Sequence, residues 1–80
     1  MDTSTAVRQR ILDQCRQRGI TVNRLATISG VTQSTVNNIV SGRNHSATVA
    51  TIKKLCDGLD ITLRDFFDAA VFEDLEQEIK

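Results

Sequence analysis

The chain has 80 residues, which limits it to one small domain, and its 40% apolar content without proline is typical of a compact helical core. The N-terminal MDTSTAVRQR lacks the apolar segment of a signal peptide, and no apolar run is long enough to span a bilayer, so we expect a cytoplasmic protein without membrane contact. The net charge of zero conceals a division, because residues 1–54 carry eight Lys and Arg against two acidic residues, whereas residues 55–80 carry two against eight. The basic part indicates a polyanionic partner, although solvated helix faces also segregate charge by chance.

The first predicted helix covers about residues 5–18. Its N-cap is expected at Thr3, Ser4 or Thr5, and Gly19 follows in the position of a left-handed C-cap. One apolar stripe comprises Val7, Ile11, Leu12 and Cys15. Since Cys15 and Cys56 both lie on such stripes, we expect buried, reduced thiols; a disulfide or a redox sensor is the alternative.

The second and third predicted helices, about residues 22–29 and 33–41, are separated by a glycine turn. Thr21 and Thr32 are their expected N-caps, and Gly30 stands where the backbone needs a positive φ. The expected inner positions are Leu25, Ala26, Ile28, Val31, Val36, Ile39 and Val40.

The fourth helix is predicted over about residues 49–59, capped by Thr48 or Ser46 and ended by Asp60 in a left-handed conformation. Its expected buried side comprises Val49, Ile52, Leu55, Cys56 and Leu59. Gly58 lies inside this helix, which a close helix contact would explain. A capping box of Thr62 and Asp65 begins a short fifth helix, and the acidic segment after it is expected to be helical with one apolar face of Val71, Phe72, Leu75 and Ile79.

The second and third helices form a helix-turn-helix. The small Ala26 lets the third helix cross closely, and Ile28, Val31, Val36 and Ile39 are expected to fix the crossing angle, so that the third helix protrudes and fits a major groove. Its outer face has no charged residue and carries Gln33, Ser34, Asn37 and Asn38. Because an amide offers a donor and an acceptor in one plane, such a face is suited to the edge of adenine.

These motifs resemble a known family. Residues 7–67 resemble the lambda-repressor-like helix-turn-helix domains of Cro, phage repressors and xenobiotic-response-element proteins. The matching segments are Gly19-Ile20-Thr21, Leu25-Ala26, Ser29-Gly30-Val31-Thr32, Ser34-Thr35-Val36, Ile39, Ser41-Gly42-Arg43, Leu59-Asp60-Ile61-Thr62-Leu63 and Phe66-Phe67. The resemblance implies an all-α, five-helix domain, here residues 1–68. Residues 69–80 lie outside the shared pattern, and their own periodicity predicts a short acidic, amphipathic helical extension.

The resemblance also implies a DNA site. Its base-contacting positions fall on Gln33, Ser34, Asn37 and Asn38, and its phosphate-contacting positions on Thr21, Thr32, Thr35, Arg43 and Asn44. Charge and loop position add Asn23, Arg24, His45 and Ser46. Val22 stands where the family commonly has Gln, so we expect the corresponding backbone contact to be absent or to move to Asn23.

The function expected from this resemblance is a sequence-specific transcriptional regulator, in the simplest case a repressor. It would bind double-stranded DNA at an inverted repeat as a homodimer. The expected dimer surface comprises Phe66, Phe67, Phe72, Leu75 and Ile79. Alternatively, the extension packs back against the first helix.

Two other functions remain open from the residues. One is a protein-interaction module, such as an antitoxin, whose acidic tail would bind a protein partner. The other is a small RNA-binding domain, which the scarcity of aromatic residues disfavours. No catalytic constellation, metal-ligand spacing or cofactor motif is present in the sequence, so we expect no enzyme.

Overall fold

The computed structural model describes residues 1–43 and 46–79, which form five α-helices and one 3₁₀ turn. The helices are α1 (Thr3–Arg18), α2 (Val22–Ser29), α3 (Gln33–Ser41), α4 (Val49–Leu59) and α5 (Leu63–Phe67), and the 3₁₀ turn spans Ala70–Phe72. The described residues contain no strand, which confirms the predicted all-α class. None of the described helices combines the length and the apolar character needed to cross a membrane.

Hydroxyl caps determine where the middle helices begin. The side chains of Thr21, Thr32 and Thr48 each accept a hydrogen bond from the backbone N–H three residues later, as predicted. Asp60 ends α4 at φ 58°, which confirms its expected left-handed conformation. The capping box at α5 is also confirmed, because the Asp65 carboxylate accepts from the Thr62 N–H while the Thr62 hydroxyl accepts from the Asp65 N–H.

The start of α1 differs from the prediction. The helix begins at Thr3, and its N-cap is Asp2, whose Oδ1 accepts a hydrogen bond from the Thr5 N–H at 2.8 Å. A carboxylate at this position also interacts favourably with the positive end of the helix dipole. The expected N-cap at Thr3, Ser4 or Thr5 was therefore wrong.

A single core lies between the helices. The helix α2 packs against α3 and α4, and α1 packs against α3 and the 3₁₀ turn. The buried apolar residues are Ala6, Val7, Ile11, Cys15, Leu25, Ala26, Val36, Ile39, Ile52, Leu55, Cys56, Leu59 and Phe66. Both cysteines are free and buried, as expected.

Two residues expected in the core lie at the surface. The side chain of Ile28 is 39% exposed, because α2 is buried through Leu25 and Ala26 and faces α4 at Ser29. Val49 is 68% exposed as the first residue of α4, at the end of that helix rather than along its packed middle. Ile28 therefore does not fix the crossing of α2 and α3 from inside the core.

The C-terminal extension is less helical than its apolar pattern predicts. The chain turns at Asp68 and becomes extended at Ala69, and of the described residues after that only Ala70–Phe72 are helical. A segment this short gains too few hydrogen bonds to offset helix nucleation. The predicted face of Val71, Phe72, Leu75 and Ile79 is therefore not formed along one helix.

The extension packs back on the domain. The Phe72 ring lies 5.0 Å from that of Phe67 and 6.2 Å from that of Phe66, measured between centroids. The Glu76 N–H donates to the Met1 carbonyl at 3.1 Å. These contacts agree with the alternative in which the extension covers part of α1 and the core.

Candidate nucleic-acid interface

The turn between α2 and α3 has the geometry that the sequence predicted. Gly30 has φ 66° and ψ 28°, and its N–H donates to the carbonyls of Ala26 and Thr27. The Val31 N–H donates to the Ala26 carbonyl at 3.1 Å. These hydrogen bonds satisfy the last carbonyls of α2 and direct the chain into α3.

The helix α3 is buried on one side and open on the other. Val36 and Ile39 enter the core, where they pack with Ala26. Gln33, Ser34 and Asn37 are exposed. Asn38 is half-buried, so it offers less of its amide to a ligand than the other three predicted base-contacting residues.

The hydroxyl groups expected at phosphates already take part in helix caps. Thr32 Oγ1 accepts from the Thr35 N–H at 3.2 Å, and the two hydroxyls share a hydrogen bond of 2.7 Å. Thr21 Oγ1 accepts from the Arg24 N–H at 3.0 Å. These caps hold the first turns of α3 and α2, whose backbone N–H groups give each helix start a partial positive charge.

A hydrogen bond between side chains joins the two helices on their outer surface. Asn37 Nδ2 of α3 donates to Asn23 Oδ1 of α2 at 3.3 Å, and both residues are exposed. Asn23, which was expected at a phosphate, therefore contacts one of the predicted base-contacting amides.

The charge around this surface is favourable for a polyanion. Arg24 and Arg43 are exposed, one on α2 and the other just after α3, and Ser46 is also exposed. The segment 14–56, which contains both helices, has no Asp or Glu. The predicted contacts of Asn44 and His45 lie outside the described residues.

Several other basic residues have intramolecular partners. Arg10 donates from Nε to the Phe66 carbonyl at 2.6 Å and from Nη2 to the Asp65 carbonyl at 2.8 Å. Ion pairs join Arg16 with Asp13 and Lys53 with Asp57. Part of the positive charge of residues 1–54 is therefore engaged within the protein.

Arg8 is a residue near the site that the sequence did not indicate. Its Nη1 lies 3.0 Å from the position that a Cβ on Gly42 would occupy, so the guanidinium of α1 reaches the C-terminal end of α3. A cation there interacts favourably with the negative end of the helix dipole. Gly42 has φ 81°, and its lack of a side chain leaves room for this approach. The contact joins residues distant in sequence, so no local pattern signals it.

The described residues include no group of three His, Cys, Asp or Glu side chains placed to hold a metal ion. The chemistry available on the outer surface of α2 and α3 is hydrogen bonding by amides and hydroxyls, flanked by guanidinium groups. Such a surface is suited to recognising a ligand through hydrogen bonds and charge.

Known proteins are similar to this chain in sequence and in fold. Residues 10–70 match the family model described as the Cro/C1-type HTH DNA-binding domain. The chain is 36% identical over 62 residues to the uncharacterized HTH-type transcriptional regulator RghRB of Bacillus subtilis strain 168, over 78% of this chain and 45% of that protein. The crystal structure of the prophage Lp1 protein 11 superposes with a TM-score of 0.80 at 37% identity, and the match covers 94% of this chain and 100% of that one. The chain thus matches less than half the length of RghRB.

Proposed function

The chain belongs to the Cro/C1-type helix-turn-helix DNA-binding domains, as the sequence resemblance implied, and we propose that it is a sequence-specific transcriptional regulator, in the simplest case a repressor. The family consists of DNA-binding domains and not of enzymes. In this proposal, α3 enters the major groove and presents Gln33, Ser34 and Asn37 to base edges.

The observation that carries the proposal is the exposed, uncharged polar face of α3. Gln33, Ser34 and Asn37 are exposed, while Arg24 and Arg43 lie on either side of them in the chain. Phosphate contacts position a protein on DNA, whereas contacts to base edges distinguish sequences. Amides in the centre and arginines at the flanks suit these two tasks respectively. The absence of carboxylates from residues 14–56 supports the same assignment, since a carboxylate would repel the phosphates.

The proposal includes a homodimer on an inverted repeat. One protomer offers few base contacts. In a dimer, binding of the second protomer to its half-site becomes intramolecular, which raises the overall affinity for DNA. Of the expected dimer surface, Phe66 must be removed, because it is fully buried in its own protomer. Phe72 and Leu75 are half-buried, whereas Phe67 and Ile79 are 41% and 88% exposed. The proposed contact is therefore centred on Phe67 and Ile79.

Selection of binding sites from random duplexes, at a stated salt concentration, tests the proposed function. We expect an enriched inverted repeat whose half-sites lie about one helical turn apart. The binding constant should fall steeply with salt, because each neutralised phosphate contributes about −0.9 to the logarithmic slope. If the chain enriches no duplex, even in dilute buffer, DNA recognition is refuted.

Light scattering tests the dimer separately. We expect the intact chain to form a dimer and the exposed-site variant Phe67→Arg to be a monomer. A second variant ending at Phe67 separates the two parts of the proposed surface. A dimer that persists after this truncation would exclude the extension as the interface and leave Phe67 as the centre.

A further inference from the structure

The hydrogen bond between Asn23 and Asn37 has a chemical consequence for base recognition. An amide has two N–H donors and an oxygen with two acceptor sites. Asn37 uses one of its N–H groups within the protein, because its Nδ2 donates to Asn23 Oδ1 at 3.3 Å. This leaves Asn37 with one N–H and its Oδ1 for a ligand, and it limits rotation of the amide plane.

The groups that remain match one purine better than the other. In the major groove, adenine presents the N7 acceptor beside the N6 donor, whereas guanine presents two acceptors, N7 and O6. One N–H and one carbonyl oxygen complement adenine. The same oxygen would face the O6 of guanine, with no hydrogen between the two acceptors.

We infer that Asn23 is a positioning residue that fixes the amide of Asn37 for adenine. The inference rests on the proposed function, because it requires α3 to lie in the major groove. It gives Asn23 a role different from the phosphate contact expected from the sequence. A side chain that is oriented before DNA arrives loses less conformational freedom on binding, so the pair favours affinity as well as specificity.

The exposure of Asn23 and Asn37 distinguishes a role in base recognition from a purely structural role. Both asparagines are exposed, so loss of their hydrogen bond leaves no buried polar group unpaired and should cost the fold little. Variants at either position should therefore remain folded. Their effect should be found in the base preference.

The test uses the full chain, with Asn23→Ala, Asn37→Ala and the double variant. Each is subjected to selection from random duplexes, and affinities are then measured on the best site and on its adenine-to-guanine variant at one salt concentration. We expect Asn37→Ala to remove a preference for adenine of about 5- to 150-fold at one position of each half-site. Asn23→Ala should weaken the preference at that same position, and the double variant should be no less selective than Asn37→Ala alone.

Asn23→Asp is the matched control. Its carboxylate keeps an acceptor for the Asn37 N–H but adds a negative charge and removes the donors of Asn23. We expect it to retain the adenine preference while binding all duplexes more weakly. A phosphate contact from Asn23 would instead make both Asn23→Ala and Asn23→Asp lose affinity evenly over all sequences, with the preference unchanged.

That even loss, or an Asn23→Ala chain whose adenine preference is intact, overturns the inference while leaving the proposed function standing. A wild-type chain that selects no sequence refutes the proposed function, and the role of Asn23 falls with it.

Discussion

Gly58 of α4 lies directly against Ser29 at the end of α2. A Cβ on Gly58 would come within 2.1 Å of Ser29 Oγ and within 3.0 Å of Ser29 Cα and Cβ. The sequence predicted a close helix contact at this glycine but not its partner. This contact determines how deeply α2 sits in the domain. Since α2 carries part of the proposed DNA surface, the contact also affects the position of that surface.

Replacement of Gly58 by alanine should therefore destabilise the fold. Alanine favours a helix by about 1 kcal/mol over glycine, but overpacking costs about 1–3 kcal/mol. Since backbone atoms of Ser29 are among those approached, rotation of the hydroxyl alone cannot relieve the clash. We expect a net loss of about 1–2 kcal/mol in the free energy of unfolding, measured with denaturant.

Ser29→Ala provides the control for this prediction. It removes Oγ, a buried atom with no hydrogen-bond partner among the described residues, so alone it should not lower the stability. Combined with Gly58→Ala, it should recover part of the loss. If Gly58→Ala proved as stable as the wild type, the contact between α2 and α4 would have to be looser than described.

Replacement of Arg10 should affect stability rather than DNA binding. Its guanidinium donates to the carbonyls of Asp65 and Phe66 and so holds α5 against α1. Hydrogen bonds from charged groups contribute about 1.5–3 kcal/mol. Arg10→Ala should therefore lower the free energy of unfolding by about 1–3 kcal/mol while leaving the salt dependence of binding unchanged. Arg24→Ala is the matched comparison, with the opposite outcome expected for both measurements.

Gln33 is expected to contact a base. Removal of its amide by Gln33→Ala should reduce affinity for the selected site by about 1–3 kcal/mol and relax the preference at one base position. Titrations on the selected site and on single-base variants measure both effects. An unchanged preference would show that the base-contacting residues have been assigned wrongly.

Arg43 should act without regard to sequence. Its exposed guanidinium follows the end of α3, where a phosphate contact would supply affinity for any duplex. Arg43→Ala should weaken binding to selected and unrelated DNA equally and reduce the magnitude of the logarithmic salt slope by about 1. The measurement is affinity over a series of salt concentrations. A loss confined to the selected site would instead assign Arg43 to a base.

The two buried cysteines should make stability depend on alkaline pH. Burial raises the pKa of Cys15 above its ordinary value of 9.0. Burial also raises the pKa of Cys56, with a contribution from Asp57 that Lys53 and Arg10 partly oppose. Unfolded thiols then ionise before folded ones, so their contribution to stability is complete below pH 9.0 and is lost as the pH rises through the folded pKa values.

Unfolding of the wild type and of Cys15→Ala/Cys56→Ala at pH 7 to 10.5 measures this dependence. The cysteine-free variant should have a lower stability throughout, because alanine fills the core less well, but a smaller decline above pH 9.0. Equal declines in the two proteins would show that the thiols are not responsible.

The boundaries of α2, α3 and α4 were the most predictable part of the fold, because local chemistry determines them. The hydroxyls of Thr21, Thr32 and Thr48 and the left-handed Asp60 act on their own backbone neighbours, so the sequence identifies them directly. Ile28 and Val49 were less predictable. Apolar periodicity indicates the side of a helix that turns inward but not how far a neighbouring helix covers it.

The candidate site likewise has features that the sequence predicts and features that it does not. The exposed positions of Gln33, Ser34 and Asn37 follow from the helical period once Val36 and Ile39 turn inward. The contacts of Arg8 with the end of α3 and of Asn23 with Asn37 depend on the packing of separate helices. For that reason the sequence suggested a phosphate for Asn23 and nothing for Arg8.

The link from Arg10 to α5 also has a consequence for biosynthesis. The two carbonyls that Arg10 binds lie 55 and 56 residues later in the chain, so α1 is translated long before its partner leaves the ribosome. The α2–α3 pair is likewise complete in sequence while α4, on which α2 packs, is still untranslated. A nascent chain arrested at that stage would therefore carry every proposed base-contacting residue without the framework that orients them.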